Sequence, residues 1–255
     1  MHLSRVFGLD IEMIGKSLLI HSSAYSALSI ADLHIGYEEA LNKQGILMQS
    51  FQLAEMERTL EKIFSILKKD YKIGILDEII INGDLKHEFG KISSQEWRET
   101  LRILELISGH AKRVIIVKGN HDNIMAPIAE KKKLELVASH KIGKILFTHG
   151  NHIPGKIELA DIDSVIIGHE HPAVSRREGV RSEIFKCFLF GKWRRKNLIV
   201  MPSFSPITEG TDILKEELLS PFLKTGNLGK FRAFIVSENL EILDFGEINS
   251  IKRMI

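Results

Sequence analysis

The tetrapeptide Gly119-Asn120-His121-Asp122 closes the apolar run Val114 to Val117. A short apolar run bounded by turn-forming residues is typical of a buried strand. The tetrapeptide therefore places an amide, an imidazole and a carboxylate where a strand would end. On its own such a tetrapeptide is an ordinary turn. It decides the fold only because the chain repeats the arrangement.

Four other segments also place polar side chains at the end of an apolar run. They are Ala31-Asp32-Leu33-His34, Asn82-Gly83-Asp84-Leu85-Lys86-His87, Thr148-His149-Gly150-Asn151 and Gly168-His169-Glu170-His171. Strand ends line one edge of a sheet, where ligands collect. The donors are imidazole nitrogen and carboxylate or amide oxygen without thiolate, which suits Mn²⁺, Fe²⁺, Ni²⁺ or Zn²⁺. Two ions about 3.5–4 Å apart can hold both oxygens of a displacement at phosphorus. The segments therefore predict a two-metal phosphoesterase site.

The remaining apolar pattern predicts the fold class. In the first half, strands at 17–20, 27–30, 77–81 and 113–117 alternate with helices at 46–68, 93–107 and near 126–132. The second half is mostly strand, at 144–147, 164–167, 197–200, 231–236 and 241–245. We predict an α/β (α+β) fold, a four-layer αββα sandwich of two mixed sheets flanked by helices, in one domain over residues 1–255. The metal site is expected at the C-terminal ends of the strands.

The ordered motifs resemble those of the calcineurin-like metallophosphoesterase superfamily. The order is Asp-x-His, Gly-Asp, Gly-Asn-His-Asp, His-Gly and Gly-His-x-His, and it covers about residues 28–172. Beyond it the match continues more weakly to the C-terminus. The short Gly83-Asp84-Leu85-Lys86-His87 variant and Ser203-Phe204-Ser205-Pro206 are similar to small phosphoesterases related to the SbcD nucleases and to the ligase-associated PdeM group.

The resemblance implies a dinuclear centre. One ion would be held by Asp32, His34, Asp84 and His171, and the other by Asp84, Asn120, His149 and His169. Mn²⁺ is the favoured metal, with Fe²⁺, Ni²⁺ and Zn²⁺ sharing the same ligands. Such a pair supplies hydroxide near neutral pH for attack at phosphorus. The resemblance implies that His121 protonates the leaving oxygen or stabilises the transition state, and that Asp122 orients His121. His87 is expected to contact the substrate phosphate or to support His121.

A basic stretch at 176–196 is predicted to be a hairpin or insertion. Its arginines Arg176, Arg177, Arg194 and Arg195 are candidates for binding a phosphodiester backbone, with interleaved aromatic rings able to stack bases. A solvated hairpin with a basic face is an equally good interpretation. The favoured function is hydrolysis of phosphodiester bonds in nucleic acid, as a nuclease or phosphodiesterase linked to DNA repair. The alternatives are hydrolysis of a small linear or cyclic nucleotide, and a non-catalytic metal-binding interaction scaffold.

Composition restricts the remaining classes. The 255 residues include one cysteine, so no intrachain disulfide can form, and the net charge of +2 does not by itself indicate a nucleic-acid partner. Asp10 and Glu12 interrupt the N-terminus where a secretory signal would be apolar. We expect a cytoplasmic protein with no membrane partner. The resemblance alone suggests a homodimer and a helicase or ligase partner.

Overall fold

The computed structural model describes residues 1–6, 8–89, 92–122, 134–178 and 181–253. The helix expected near 126–132 lies outside these residues. Among the helices of the described residues, none has the length and apolarity needed to cross a membrane.

The described chain alternates short strands with helices. The strands are β1 His2–Val6, β2 Leu9–Ile14, β3 Ser17–His21, β4 Ser26–Ile30, β5 Leu76–Asn82, β6 Ala111–Val117, β7 Glu135–Val137, β8 Ser139–Ile142, β9 Ile145–Thr148, β10 Ser164–Ile167, β11 Pro172–Glu178, β12 Arg181–Trp193, β13 Lys196–Val200, β14 Thr211–Asp212, β15 Arg232–Val236 and β16 Ile242–Glu247. The helices are α1 Tyr37–Lys43, α2 Gln52–Asp70, α3 Ser94–Ser108, α4 Lys156–Leu159, α5 Pro221–Lys224 and α6 Ile248–Ile251, with a 3₁₀ turn at Leu228–Lys230.

The strands form two mixed sheets, as expected. The first sheet has the order β1-β2-β3-β4-β5-β6-β7, antiparallel up to β4 and parallel from there on. The second has the order β14-β11-β12-β13-β10-β9-β8, and β15 and β16 extend it from β12. In the second sheet β9, β10 and β13 are parallel, so the loops that follow them lie at one edge.

Alternating residues on the strands build the four layers. On β5, Ile79 and Ile81 pack against α2 and α3, whereas Ile80 faces the second sheet. On β10, Ile166 faces the first sheet while Val165 and Ile167 pack against the short helices of the opposite layer. Period-two alternation with both faces buried is the pattern of a sheet covered on both sides. The fold is therefore the predicted αββα sandwich.

One predicted helix begins later than expected. The apolar spacing predicts a helix over 46–68, but α2 begins at Gln52 and the shorter α1 precedes it. The buried carboxylate of Glu38 explains the boundary, because it accepts hydrogen bonds from the backbone N–H groups of Phe51 (2.6 Å) and Gln52 (3.2 Å). A carboxylate at a helix N-terminus satisfies donors that have no intrahelical partner.

Candidate metal centre

The loops that follow five parallel strands converge where the two sheets meet. β4, β5 and β6 lead to Asp32 and His34, to Asp84, and to Asn120. From the second sheet, β9 and β10 lead to His149, His169 and His171. These seven residues are the predicted metal ligands, and the fold brings them together.

The backbone of these loops adopts a conformation that L-residues rarely take. Positive φ angles between 46° and 65° occur at Asp32, His34, Asp84, His169 and His171. A non-glycine residue in this region costs about 1–2 kcal/mol. Contacts between loops hold it in place, since the Asp32 N–H donates to Gly83 O (3.1 Å) and the His34 N–H donates to Asp84 O (2.9 Å). Strain concentrated at one site in this way is typical of functional centres.

Three motif glycines lie where no side chain would fit. A Cβ on Gly119 would overlap the backbone nitrogen and the carboxylate of Asp84, and a Cβ on Gly83 would overlap the ring of His149. A Cβ on Gly168 would overlap the carboxylate of Asp32. The glycines therefore allow the loops to approach each other closely enough for the ligand atoms to meet.

The first candidate ligand group joins residues from both sheets. Its ligand atoms lie within 4.8 Å of one another and belong to Asp32, His34, Asp84 and His171. The Nε2 atoms of His34 and His171 are 3.2 Å apart. His171 Nε2 lies 3.4 Å from Asp32 Oδ1, and His34 Nε2 lies 3.8 Å from Asp84 Oδ2. Two imidazoles and two carboxylates arranged in this way are a donor set for a divalent transition metal.

The second candidate group shares Asp84 with the first. Its members are Asp84, His149 and His169. His149 Nε2 lies 3.3 Å from Asp84 Oδ2, 3.2 Å from His169 Nδ1 and 2.9 Å from Asn120 Oδ1. The amide oxygen of Asn120 thus joins this group, and the carboxylate of Asp84 lies between the two groups. The resemblance implies the same division of ligands.

The lowered pKa values of His34 and His169 favour metal binding. Burial and the charge of His149 lower the pKa of His169 to about 4. Burial and the charge of His171 lower the pKa of His34 well below its ordinary value. Both imidazoles are therefore neutral at pH 7 and offer a nitrogen lone pair. Neutral imidazole is the form that binds metals.

The buried carboxylates of Asp32 and Asp84 favour positive charge at the centre. Burial lowers the pKa of His149, but its hydrogen bond to Asp84 and the charge of Asp32 outweigh burial and raise that pKa to about 9. The Oδ1 atom of Asp32 is buried and accepts no hydrogen bond from the part of the chain that the structure describes. A buried carboxylate oxygen of this kind is stabilised by a cation. The donor set therefore fits two divalent ions that share Asp84.

His121 lies at the edge of this centre with a fixed ring orientation. Its Nδ1 donates to the carbonyl oxygen of His87, so its Nε2 is directed toward Asp84 Oδ2, 3.9 Å away. His87 therefore contacts His121 through its backbone, while the His87 ring stacks on Tyr37 with centroids 4.1 Å apart. Burial and the charge of His121 lower the pKa of His87 to about 4. His121 Nε2 therefore lies beside the candidate ligands.

Asp122 lies elsewhere than the sequence led us to expect. We expected it to orient the ring of His121, but that ring nitrogen is bound to the carbonyl oxygen of His87. The fully buried carboxylate of Asp122 instead accepts the backbone N–H groups of Gly119 (3.0 Å), Leu85 (3.1 Å) and Lys86 (3.4 Å). Asp122 thus ties the loop after β6 to the loop after β5, where Asp84 lies.

The predicted basic stretch is divided between the two ends of the second sheet. Strands β11 and β12 form an antiparallel hairpin that begins directly after His171 and carries the exposed Arg176. Arg194 and Arg195 lie in the turn between β12 and β13, beside the beginning of β10, whereas the loops with the candidate ligands follow the ends of β9 and β10. We expected these two arginines beside the site, and the strand register places them at the opposite end of the sheet. The side chain of Arg177 lies outside the described part of the chain.

Two positioning groups were not identified from the sequence. Glu170, between two ligand histidines, is fully buried and accepts the backbone N–H groups of Leu219 (2.9 Å) and Ser220 (2.7 Å). The hydroxyl of Ser220 donates to Gly150 O, 2.8 Å away. The segment before α5 thus fastens the loops of all three ligand histidines of the second sheet. The only sequence signal was an acidic residue inside a histidine motif.

The chain is similar to several proteins of known structure. A nuclease named MPE from Pseudomonas putida superposes with a TM-score of 0.62 at 16% identity, over 96% of this chain and 99% of that chain. Vps29 from Entamoeba histolytica, solved in complex with zinc, has a TM-score of 0.37 at 17% identity over 86% and 99%. An uncharacterised Streptococcus pneumoniae TIGR4 protein, described as a predicted phosphoesterase, has a TM-score of 0.35 at 14% identity over 87% and 97%. The P. putida nuclease shares the fold.

Sequence comparison identifies the family. No curated protein matches the chain significantly. Residues 26–229 match the family described as calcineurin-like phosphoesterase, a span that includes every candidate ligand. Members of this family typically bind two divalent metal ions. The chain therefore belongs to the calcineurin-like phosphoesterase family, and it is a metal-dependent phosphoesterase hydrolase.

Proposed function

We propose that this chain hydrolyses phosphodiester bonds in nucleic acid. The observation that carries the proposal is the shared position of Asp84 in two ligand groups with His121 Nε2 beside it. Two divalent ions held there, with Mn²⁺ the favoured metal, would supply a nucleophile near neutral pH and neutralise charge at phosphorus. The chain's own contribution is to position the ligands and to hold a proton at His121.

His121 is the candidate acid for the leaving oxygen. Its Nδ1–H is fixed by the carbonyl oxygen of His87, so only Nε2 can exchange a proton with a substrate at the centre. Asp84 Oδ2 lies 3.9 Å from that nitrogen. A dialkyl diester such as nucleic acid gives up an alkoxide leaving group, which needs a proton more than a phenolate does. His121→Ala should therefore reduce the cleavage of dialkyl diesters more than that of p-nitrophenyl diesters.

The hairpin of β11 and β12 supports a polymeric substrate. It extends past the edge of the sheet where the ligand loops lie, and its exposed Arg176 can meet a phosphate beyond the scissile one. The P. putida protein of the same fold is named a nuclease. A basic residue on a backbone track adds about one unit to the slope of log binding constant against log salt concentration.

Three variants test the metal centre and separate the candidate substrates. Metal-free chain reconstituted with Mn²⁺ should cleave bis-p-nitrophenyl phosphate and DNA, and Asp84→Asn should lose both activities.

Arg176→Gln should weaken DNA binding and reduce by about one unit the slope of log binding constant against log salt concentration. Arg194→Gln, an exposed arginine at the opposite end of the sheet, should leave the slope unchanged. Equal slopes for both variants, with efficient hydrolysis of cyclic or short nucleotides, would favour a small-nucleotide substrate. Metal binding without any phosphoester cleavage would indicate an interaction scaffold.

A further inference from the structure

Four aromatic rings form a row in space on the His121 side of the candidate metal centre. Tyr37 stacks on His87 (4.1 Å between centroids), His87 on His121 (5.5 Å), and Phe89 contacts His121 (3.7 Å, 32° between planes). The rings of Tyr37, His87 and His121 belong to half-buried residues. Phe89 differs, because 56% of its surface is exposed to solvent.

An exposed phenylalanine at this position calls for an explanation. Burying a large aromatic side chain is favourable by about 1.5–3 kcal/mol, yet Phe89 leaves more than half of its surface in water. Leu243, which is 54% exposed, lies on the edge strand β16. Phe89 instead contacts the ring of His121, whose Nε2 lies 3.9 Å from Asp84 Oδ2. Its exposed ring therefore borders the candidate metal centre.

The direction of His121 identifies which part of a substrate would reach Phe89. His121 Nε2 lies 3.9 Å from the shared candidate ligand Asp84, and in the proposed reaction the leaving oxygen would approach that nitrogen. The group attached to the leaving oxygen would then extend from His121 toward solvent. Phe89 contacts His121 and is exposed, so it would border that route. A planar group on the leaving oxygen can stack on the phenyl ring.

We propose that Phe89 forms a stacking subsite for the nucleobase of the leaving-group nucleoside, an inference that rests on the proposed nucleic-acid phosphodiesterase activity. Every base has a π-face, so an aromatic platform accepts bases with little sequence preference. Stacking of one base on an aromatic side chain contributes about 1–3 kcal/mol. In kinetics this corresponds to about 5- to 150-fold in kcat/KM.

Dinucleotides with one scissile linkage test the subsite directly. We compare thymidylyl-thymidine with two analogues, each carrying a tetrahydrofuran abasic residue in place of one nucleoside. The product that retains the phosphate shows which side is the leaving group. For the native enzyme, loss of the leaving-side base should lower kcat/KM about 10-fold. Phe89→Leu should lower kcat/KM for thymidylyl-thymidine by the same factor and have no further effect on the analogue that lacks the leaving-side base.

Matched variants exclude a purely structural effect. Phe89→Tyr keeps an aromatic ring and should restore discrimination between the substrates, whereas Leu243→Ala removes a similarly exposed apolar side chain and should change nothing. If Phe89→Leu lowers kcat/KM equally for all three dinucleotides, Phe89 only supports His121 and the subsite is refuted. If it changes none of them, Phe89 serves a contact outside the reaction. If even the native enzyme cleaves neither dinucleotides nor bis-p-nitrophenyl phosphate, the proposed function fails, and this subsite fails with it.

Discussion

The Nε2 atoms of His34 and His171 lie 3.2 Å apart, although 137 residues separate the two histidines in sequence. Two nitrogen lone pairs at this distance repel each other unless a proton or a cation lies between them. Two carboxylates border the pair, because His171 Nε2 is 3.4 Å from Asp32 Oδ1 and His34 Nε2 is 3.8 Å from Asp84 Oδ2. The strand ends of two sheets thus assemble an environment that selects positive charge.

Divalent metal should therefore stabilise the fold through this pair. Mn²⁺ at 100 times its dissociation constant should raise the free energy of unfolding by about 2.7 kcal/mol per site. His171→Gln removes one nitrogen and should abolish most of that gain at its site. Urea denaturation with and without Mn²⁺ measures the difference. His21→Gln, which removes an imidazole paired with Glu12 on another strand, is the control. Equal stabilisation of both variants would contradict the assigned ligand set.

Gly119→Ala should weaken metal binding without changing any candidate ligand. The new Cβ would overlap the backbone nitrogen and the carboxylate of Asp84, so the loops after β5 and β6 would have to move apart. Displacing the shared ligand should weaken metal affinity by at least about 10- to 100-fold. Calorimetric titration with Mn²⁺ measures this effect. Gly74→Ala is the matched control, since a Cβ there meets nothing within 4 Å. Unchanged affinity in Gly119→Ala would refute the close approach.

The sequence predicted which candidate ligands the fold brings together, because their signal is local. Each lies directly after an apolar run, and the parallel strands β4, β5 and β6 then bring Asp32, Asp84 and Asn120 to one edge. The same logic predicted both sheets and the four layers. Donor chemistry and strand periodicity can be read within a few residues of the chain, so neither depends on knowing the tertiary contacts.

The sequence could not predict features that depend on contacts between distant segments. Glu38 fixes the start of α2, because its carboxylate accepts the N–H groups of Phe51 and Gln52, which lie 13 and 14 positions later in the chain. Strand register decides that Arg176 extends past the ligand edge whereas Arg194 lies at the opposite end. Asp122 binds backbone amides 36 and 37 positions earlier because β5 and β6 are neighbours. Because Asp122 directly follows His121 in sequence, we had expected its carboxylate to bind the His121 ring.

Asp122→Asn should lower stability more than it alters the pH profile of the reaction. The carboxylate accepts three backbone N–H groups in a buried position, and an amide offers one acceptor oxygen in place of two. An unsatisfied buried donor costs about 1–3 kcal/mol. Urea denaturation of the metal-free protein should show this loss. Asp163→Asn, at an exposed carboxylate, should change stability by less than about 0.5 kcal/mol. Unchanged stability with a shifted pH–rate profile would instead indicate that Asp122 acts on His121.

The free energy of unfolding should increase as the pH rises above neutrality, because the buried Lys16 loses its proton more easily in the folded chain than in the unfolded chain. Burial lowers the pKa of Lys16 from 10.5 to about 8, against a smaller opposing effect of Glu55, and its ammonium donates to the carbonyl oxygen of Phe204 (3.0 Å). Between these two pKa values the unfolded chain binds a proton that the folded chain does not. The free energy of unfolding therefore increases with pH across this window, by up to about 3 kcal/mol in total.

Comparison with Lys16→Met isolates this effect. Chemical denaturation at pH 7.5, 8.5 and 9.5 should show the native protein gaining stability relative to Lys16→Met at each step, because the cost of holding a buried charge disappears only in the native protein. Lys62→Met removes a positive charge from an exposed position on α2 and controls for net charge. A stability difference between native protein and Lys16→Met that stays constant over this range would show that the Lys16 ammonium is adequately solvated in the fold.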